Sequence, residues 1–200
     1  MKPEMITLKA GQATIKMPAT ALAQLALASV FGQLVPQQSA PALPAGAVPA
    51  LGAYWPGQGG VNAGLMRGLD GARDYYLIVA AADIGDHAWG GYREESKATS
   101  KSDGKANTEW LCNEETQHPA ANTCAEYKAD GNHDFYLPAA AELYHCWVNC
   151  PEVFTQDRYY WSSSQRSAYL AFSVVFDDGS QLSCDKDNEL RVRPVRRLFI

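Results

Sequence analysis

The sequence predicts an α+β fold, in which helices in the middle of the chain are followed by a run of strands. The segment Tyr75–Ala80 is apolar and partly β-branched, which is typical of a buried strand. Two helical patterns follow, near 107–115 and from Leu137 onward, and after Phe154 the chain shows only strand and turn signals. Strands that are segregated from helices in this way are typical of the α+β class.

Composition narrows the possible functions. The chain has 200 residues, of which 46% are hydrophobic, so it is long enough to bury a sizeable core. Its formal net charge of −5 argues against a nucleic-acid partner, because a phosphate-binding surface needs an excess of basic residues. The arginines near the C-terminus alternate with Val192 and Pro194, which fits one face of a strand better than a solvated basic patch. No apolar stretch reaches the ~20 residues of a transmembrane helix.

The first fifty residues are predicted to form a small module and a linker. Residues 1–35 contain strand patterns at 5–8 and 13–17, then an apolar stretch at 21–34 for which helix and strand both stay open. That stretch also imitates the apolar core of a signal peptide. Residues 36–50 are rich in proline and alanine and carry no charge, which predicts an extended linker. A main domain is then expected over residues 51–200.

Two helices are expected in the main domain. The first, near 107–115, is expected to bury Trp110 and Leu111, and it lies within a polar surface excursion at 92–133. The second begins at Leu137 with a proline in its first turn, where a missing N–H costs nothing. One stripe of this second helix carries Leu143, Cys146, Trp147 and Cys150.

The last forty residues predict two strands joined by a tight turn. Asp178-Gly179 lies between two alternating runs and is a hairpin signal. Alternation divides the first strand, 170–176, between two faces. The face expected in the core carries Leu170, Phe172, Val174 and Phe176. The face expected toward solvent carries Ala171, Ser173 and Val175, joined on the return strand by Ser180, Leu182 and Cys184.

Five short motifs occur in an order that resembles a known family. They are Asp134-Phe-Tyr-Leu-Pro, Glu142-Leu, Trp161-Ser-Ser, Phe176-x-x-Gly179 and Val192-Arg-Pro-Val-Arg196. Together they resemble the C-type-lectin-like domains of phage tail-fibre proteins and of variable proteins of diversity-generating retroelements, whose fold is related to that of the formylglycine-generating enzyme. The resemblance covers residues 51–200, and 92–133 departs from it as an insertion. It implies a C-type-lectin-like domain with two helices and a terminal antiparallel sheet.

In that family, recognition takes place on the exposed face of the final hairpin. The resemblance therefore implies a mixed polar and apolar ligand-binding surface on this chain. Its expected residues are Arg166, Tyr169, Ser173, Val175, Asp177, Ser180, Leu182, Cys184 and Asp185. Tyr169 and Arg166 are the expected anchors, because tyrosine and arginine dominate interface energetics. The alternative is that the insertion at 92–133 packs on the same face of the sheet and buries it.

The function implied by the resemblance is binding without catalysis. We expect a phage or prophage tail-associated host-recognition protein of the virion, possible as a trimer, and open to diversification by a retroelement. Its partners would be a host-surface protein or glycan and, through residues 1–35, other tail proteins. The alternatives are a structural part of a tail or baseplate, and a secreted adhesin on a bacterial cell surface.

No motif predicts an enzyme, a cofactor or a metal site. Cys146 and Cys150 do not match the active-site cysteines of the formylglycine-generating enzyme, and 162–164 lack the glycines of a serine nucleophile elbow. The segment 185–189 is interpreted as a solvated turn rather than a calcium loop. Cysteine and histidine at Cys112, His118, Cys124 and His133 are spaced too loosely for a typical zinc site. The five cysteines are expected to be thiols, with a Cys112–Cys124 disulfide as the alternative.

Overall fold

A computed structural model describes residues 5–10, 13–20, 48–69 and 71–200 of the chain. The chain divides into two compact units, Met1–Ala40 and Pro41–Ile200. The apolar stretch 21–34 and most of the linker 36–50 lie outside the described residues, so the domain boundaries stay predictions. No helix among the described residues has the length and apolar character needed to cross a membrane.

The described part of the first unit contains a β-hairpin. Strand β1 (Met5–Ala10) pairs antiparallel with β2 (Ala13–Pro18), in a register that places Met5 opposite Pro18 and Ala10 opposite Ala13. Both strands were expected from the alternation of the sequence, which repeats every two residues as a strand requires. Those two predictions are confirmed.

The second unit contains two sheets and three α-helices in its described part. The remaining strands are β3 (Tyr54–Trp55), β4 (Gly60–Met66), β5 (Tyr75–Ala80), β6 (Asp86–Ala88), β7 (Tyr159–Gln165), β8 (Leu170–Val175), β9 (Gln181–Asp185), β10 (Glu189–Arg191) and β11 (Val195–Phe199). One sheet has the order β11-β5-β4-β3 and the other the order β6-β10-β7-β8-β9. Neighbouring strands pair antiparallel, except that β10 pairs parallel with β7. The α+β prediction is confirmed.

The helices are α1 (Gly104–Asn113), α2 (Pro119–Glu126) and α3 (Ala140–Asn149), with a 3-10 helix at Pro151–Val153. The sequence predicted two helices and missed α2, whose eight residues start at a proline. Helix α1 begins before residue 107 because the Asp103 carboxylate accepts a hydrogen bond from the Ala106 N–H and caps the helix. Helix α3 begins after Pro138, not around it, because the Glu142 carboxylate accepts the N–H of Ala139 at its start.

The expected burial of helix α1 is half wrong. Leu111 is buried, but 47% of Trp110 is exposed. The buried stripe of α1 runs through Gly104, Thr108 and Leu111, which are three or four residues apart, and Trp110 lies off it. The ammonium of Lys97 lies 4.7 Å from the centre of the Trp110 ring on the outer side of the helix. The expected stripe of α3 is confirmed, since Leu143, Cys146 and Cys150 are buried and Trp147 packs against the same core.

The five-stranded sheet is covered on both faces. On one face, Tyr160 and Val174 pack in a core with α3 and the four-stranded sheet. On the other face, Trp161 and Ala171 pack with Trp89 and helices α1 and α2. The insertion therefore folds back over the strand face that was predicted to be free, as the alternative interpretation expected.

Two expectations about strand β8 are consequently wrong. Ala171 and Ser173 were expected toward solvent and are buried. Leu170 and Phe172 were expected in the core and are only half-buried. Alternation correctly divided the strand between two faces, but which face is covered depends on segments more than 40 residues away along the chain.

A buried carboxylate links α3 to the C-terminal strand. Glu142 accepts hydrogen bonds from the hydroxyls of Tyr75 and Tyr136 and from the guanidinium of Arg197, which also pairs with Asp103 at 2.9 Å. Burial, with the nearby Glu142 charge adding to it, raises the pKa of both tyrosines, so they remain hydrogen-bond donors. The C-terminal arginines are structural, as the strand pattern predicted.

Candidate ligand-binding surface

The nine predicted binding residues do not form one surface. Four of them lie at the end of β8 where the chain enters from β7, and five lie along the face of β8 or at its far end. A strand of six residues is about 20 Å long, so a side chain at one end cannot reach a ligand contact at the other. At the entry end lie Arg166, Tyr169, Cys184 and Asp185, because Ala171 and Leu170 pair with Cys184 and Asp185. Along the strand or toward the exit lie Ser173, Val175, Asp177, Ser180 and Leu182.

Exposure separates these residues further. Arg166, Tyr169, Asp177, Leu182 and Asp185 are exposed, and Val175, Ser180 and Cys184 are partly buried. Ser173 is fully buried, with its Oγ 3.4 Å from the Cys184 Sγ. The prediction that Ser173 faces a ligand is therefore wrong, because the insertion covers its side of the sheet.

The turn from β7 into β8 holds Tyr169 in a fixed position. The N–H groups of Arg166 and Ser167 both donate to the carbonyl of Leu170, at 2.9 and 3.0 Å. The Ser167 hydroxyl accepts hydrogen bonds from the N–H groups of Tyr169 and Leu170. With its backbone polar groups satisfied in this way, the turn presents a tyrosine that is 51% exposed.

A loop of the insertion meets this turn and completes the surface. The Arg93 N–H donates to the Ala168 carbonyl at 2.9 Å, and the Ala168 N–H donates to the Glu95 carboxylate at 3.1 Å. The rings of Tyr92 and Tyr169 meet edge to face, with centroids 5.6 Å apart. This is one of the geometries that aromatic pairs prefer. The Arg93 guanidinium lies 5.5 Å from the centre of the Tyr92 ring, within cation–π range.

Arg93 has an unusual backbone conformation. Its φ is +73°, a value that costs free energy for any residue except glycine. Such conformations persist only where the surrounding structure enforces them, and they are concentrated at functional sites. Here the hydrogen bond to Ala168 and the preceding Gly90 and Gly91, which also have positive φ, hold the conformation.

A buried lysine fixes the loop from below. The Lys186 ammonium donates to the Glu94 carbonyl at 2.8 Å and to the Gln165 side-chain oxygen at 2.7 Å, and lies 4.6 Å from the centre of the Trp89 ring. Gln165 in turn accepts the Ser96 N–H and donates to the Glu95 carboxylate. Burial lowers the pKa of Lys186 to about 8. Lys186 was expected in a solvated turn, and that interpretation is wrong for this residue.

The surface carries positive charge without a carboxylate partner. Among the described residues, ion pairs within 4.0 Å involve Arg191, Arg193, Arg196, Arg197 and His118, and none involves Arg93 or Arg166. The nearby Glu95 carboxylate is occupied by the Gln165 amide and the Ala168 N–H. Two arginines therefore flank the tyrosine pair with their charges available to a ligand.

Sequence reasoning missed Tyr92 and Arg93, which it placed in a polar excursion. The signal that points to them is the Gly90-Gly91 pair directly before an aromatic and a cationic residue. Adjacent glycines predict a backbone that makes a close approach or a sharp turn. Nothing in the sequence indicates that this turn meets residues 166–169, more than 70 positions further on.

The exit end of β8 forms a second, smaller exposed region. Asp178 accepts hydrogen bonds from the N–H and the hydroxyl of Ser180, and Gly179 has a φ of +75° that only glycine adopts readily. The predicted hairpin turn is confirmed. Leu182 is 41% exposed and Tyr159 is similarly exposed, so this end is apolar. No arginine or lysine accompanies them in the turn.

The residues weighed as metal ligands or nucleophiles have other contacts. His118 is buried, and its two ring nitrogens lie 3.1 Å from the Trp89 carbonyl and 2.9 Å from Glu114. Ser162 and Ser164 are buried and donate to backbone carbonyls. The five cysteines are free thiols. In the described ranges, no three His, Cys, Asp or Glu side chains come together as a metal site.

The surface around Tyr92 and Tyr169 is thus defined by its own chemistry: an exposed aromatic pair, two arginines without carboxylate partners and a backbone held by a buried lysine. No protein-family model matches this chain, and no curated protein is significantly similar to it.

Proposed function

We propose that residues 51–200 form a C-type-lectin-like domain that binds a ligand without catalysis, in a phage or prophage tail-associated host-recognition protein. The observation that carries this proposal is the exposed Tyr92–Tyr169 pair, flanked by Arg93 and Arg166 on a rigid backbone. The ligand is a protein or glycan of the host cell surface. The binding surface differs from the one that alternation alone predicts, because it includes the loop at Tyr92 and excludes Ser173.

The composition of this surface suits binding. Tyrosine and arginine contribute most of the free energy at many interfaces, because they bury a large area with few rotatable bonds and also form hydrogen bonds. A ligand loses less free energy to ordering when it meets groups that are already fixed. Here the turn hydrogen bonds at Ser167 and the Lys186 ammonium hold the backbone before any ligand arrives.

The N-terminal residues have the proposed role of attachment. The hairpin of β1 and β2 belongs to a compact unit of its own. Linked copies on a tail, as in the trimer we propose, raise the effective concentration of each binding domain, so a modest affinity per copy suffices for adhesion.

The test is a double variant, Arg166→Ala with Tyr169→Ala, in the full chain. We expect it to lose binding of the labelled protein to cells of the bacterium whose genome or prophage encodes the chain. The melting temperature should not change, because both side chains are exposed. The matched control is Arg158→Ala with Tyr144→Ala, which removes the same two residue types from other exposed positions.

Unchanged cell binding by the Arg166/Tyr169 variant would exclude this surface. Wild-type protein that binds no cells, but is incorporated into assembled tails, would instead favour a structural tail component. Equal loss in both double variants would show a general effect of charge and aromatic content and would also count against the proposed site.

A further inference from the structure

We infer that the ligand is an acidic polysaccharide, whose carboxylate or phosphate groups bind between Lys101 and Arg166 beside the ring of Phe172. This inference rests on the proposed function and names the chemical class of its ligand. It adds two residues, Lys101 and Phe172, to the binding surface.

Two cations approach a single aromatic ring. The Lys101 ammonium lies 4.8 Å from the centre of the Phe172 ring, and the Arg166 guanidinium lies 5.6 Å from it. Lys101 precedes helix α1, whereas Arg166 lies in the turn between β7 and β8, so two distant segments bring these charges together. Phe172 itself is half-buried, which leaves the site open to solvent.

Neither charge is neutralised by the described part of the protein. No carboxylate oxygen of the described residues lies within 4.0 Å of the Lys101 ammonium or the Arg166 guanidinium. Asp185, which is exposed opposite Leu170 on the neighbouring strand, is not paired with either. Like charges that lie close together repel each other, and an anion between them turns this repulsion into attraction. A site of this kind is unexpected in a chain with a net charge of −5 unless it serves a ligand.

The backbone beneath Lys101 is fixed. The Lys101 carbonyl accepts the N–H of Ala141 at 2.8 Å. The carbonyl of the preceding Ser100 accepts hydrogen bonds from the Ser164 hydroxyl at 2.8 Å and the Asn107 amide at 2.6 Å. Lys101 is therefore anchored to α1, α3 and β7, and only its side chain is free to adjust to an anion.

The arrangement favours a polymer over a small anion. Arg93 adds a third cation without a carboxylate partner, and its N–H is hydrogen-bonded to Ala168 in the same turn that carries Arg166. Between them lie the exposed rings of Tyr92 and Tyr169. Aromatic rings offer flat apolar surfaces to the C–H faces of sugars, while guanidinium groups pair with carboxylates and phosphates. A chain of charged sugars can use both kinds of contact at once.

The experiment measures binding of the full chain to three immobilised polymers. These are polygalacturonate, which carries carboxylates, teichoic acid, which carries phosphates, and neutral dextran. We expect binding to at least one acidic polymer and none to dextran, with affinity that falls as salt is added. Preference between the two acidic polymers identifies the anionic group, and either preference supports the inference.

Charge reversal then locates the site. Lys101→Glu and Arg166→Glu should each weaken binding to the acidic polymer at least tenfold. Lys128→Glu and Arg158→Glu change the net charge equally at other exposed positions and should leave binding nearly unchanged. The melting temperature of all four variants reports whether each one is folded.

Equal weakening in the control variants would show unspecific electrostatic attraction and overturn the inference. Binding to dextran as strong as to the acidic polymers would do the same. If the protein binds no acidic polymer but still binds host cells through Tyr169, the inference fails and the proposed function stands. If the wild type binds neither cells nor polymers, both fail.

Discussion

The charges inside this protein differ from those on its candidate binding surface in how they are compensated. Inside, Glu142 faces the Arg197 guanidinium and two tyrosine hydroxyls, and Lys186 is surrounded by carbonyl and amide oxygens. On the surface, Arg93 and Arg166 have aromatic neighbours but no carboxylate within 4.0 Å among the described residues. The same residue types therefore have two different roles.

The difference indicates where the protein is rigid and where it is available for binding. Removing a charge from water is costly, so a buried charge is retained only where partners surround it. The Glu142 cluster joins α3 to β5 and β11, and the Lys186 cluster holds the loop of Tyr92 on the sheet. Exposed cations without partners contribute little to folding. Substitutions inside should therefore change stability, and substitutions on the surface should change binding alone.

The largest effect is expected from Glu142→Ala. This change leaves the buried Arg197 guanidinium without its main partner and removes the acceptor of two tyrosine hydroxyls and two backbone N–H groups. Breaking a buried pair from one side typically costs about 3–5 kcal/mol. Urea unfolding should show a loss of that size in the free energy of unfolding.

The control for this variant is Glu109→Ala on the exposed side of helix α1. Its free energy of unfolding should change by less than about 0.5 kcal/mol, as is usual for surface substitutions. A loss for Glu142→Ala no larger than that of the control would contradict the assignment of Glu142 as the link between α3 and the sheet.

A smaller effect is expected from Lys186→Met. Methionine fills similar space but leaves the Glu94 carbonyl and the Gln165 oxygen without the ammonium donor. An unsatisfied buried acceptor costs about 1–3 kcal/mol. We expect a loss in that range and faster amide hydrogen exchange at residues 91–96, whereas Lys128→Met, an exposed control, should alter neither.

The pH dependence of this variant gives an independent check. Burial lowers the pKa of Lys186 to about 8 in the folded protein, below its ordinary value of 10.5. Between these values the unfolded chain binds a proton that the folded protein has released, so the stability of the wild type rises relative to the methionine variant. Thermal unfolding of both proteins from pH 7 to 10 measures the difference, and a constant difference would refute the lowered pKa.

The sequence predicts the local structure of this protein better than its binding surface. Strands β1, β2 and β5 and the turn at Gly179 follow from alternation and glycine chemistry, which involve neighbouring residues only. The two faces of β8 also follow from alternation. The burial of Ser173 does not, because it depends on helices α1 and α2 folding back over the sheet.

The same distinction explains which site residues could be predicted. Tyr169 and Arg166 lie in a turn that the chain itself marks, and both are exposed as expected. Tyr92 and Arg93 join them only through contacts with a segment more than 70 residues away. Lys186 is flanked by acidic and amide residues that predict a solvated turn, yet the Tyr92 loop and Gln165 enclose it. Non-local contacts decide all three positions.

The smallest effect on stability is expected from Tyr92→Ala. Tyr92 and Tyr144 are both 37% exposed, and each contacts one neighbouring aromatic ring, so they form a matched pair. Replacing either with alanine should lower the free energy of unfolding by about 0.5–1.5 kcal/mol at most, the usual range for an aromatic pair. Only the Tyr92 variant should weaken binding to host cells, because only Tyr92 touches Tyr169. Equal binding by the two variants would remove the insertion loop from the binding surface and leave the turn at Arg166 and Tyr169 as its sole aromatic contact among the described residues.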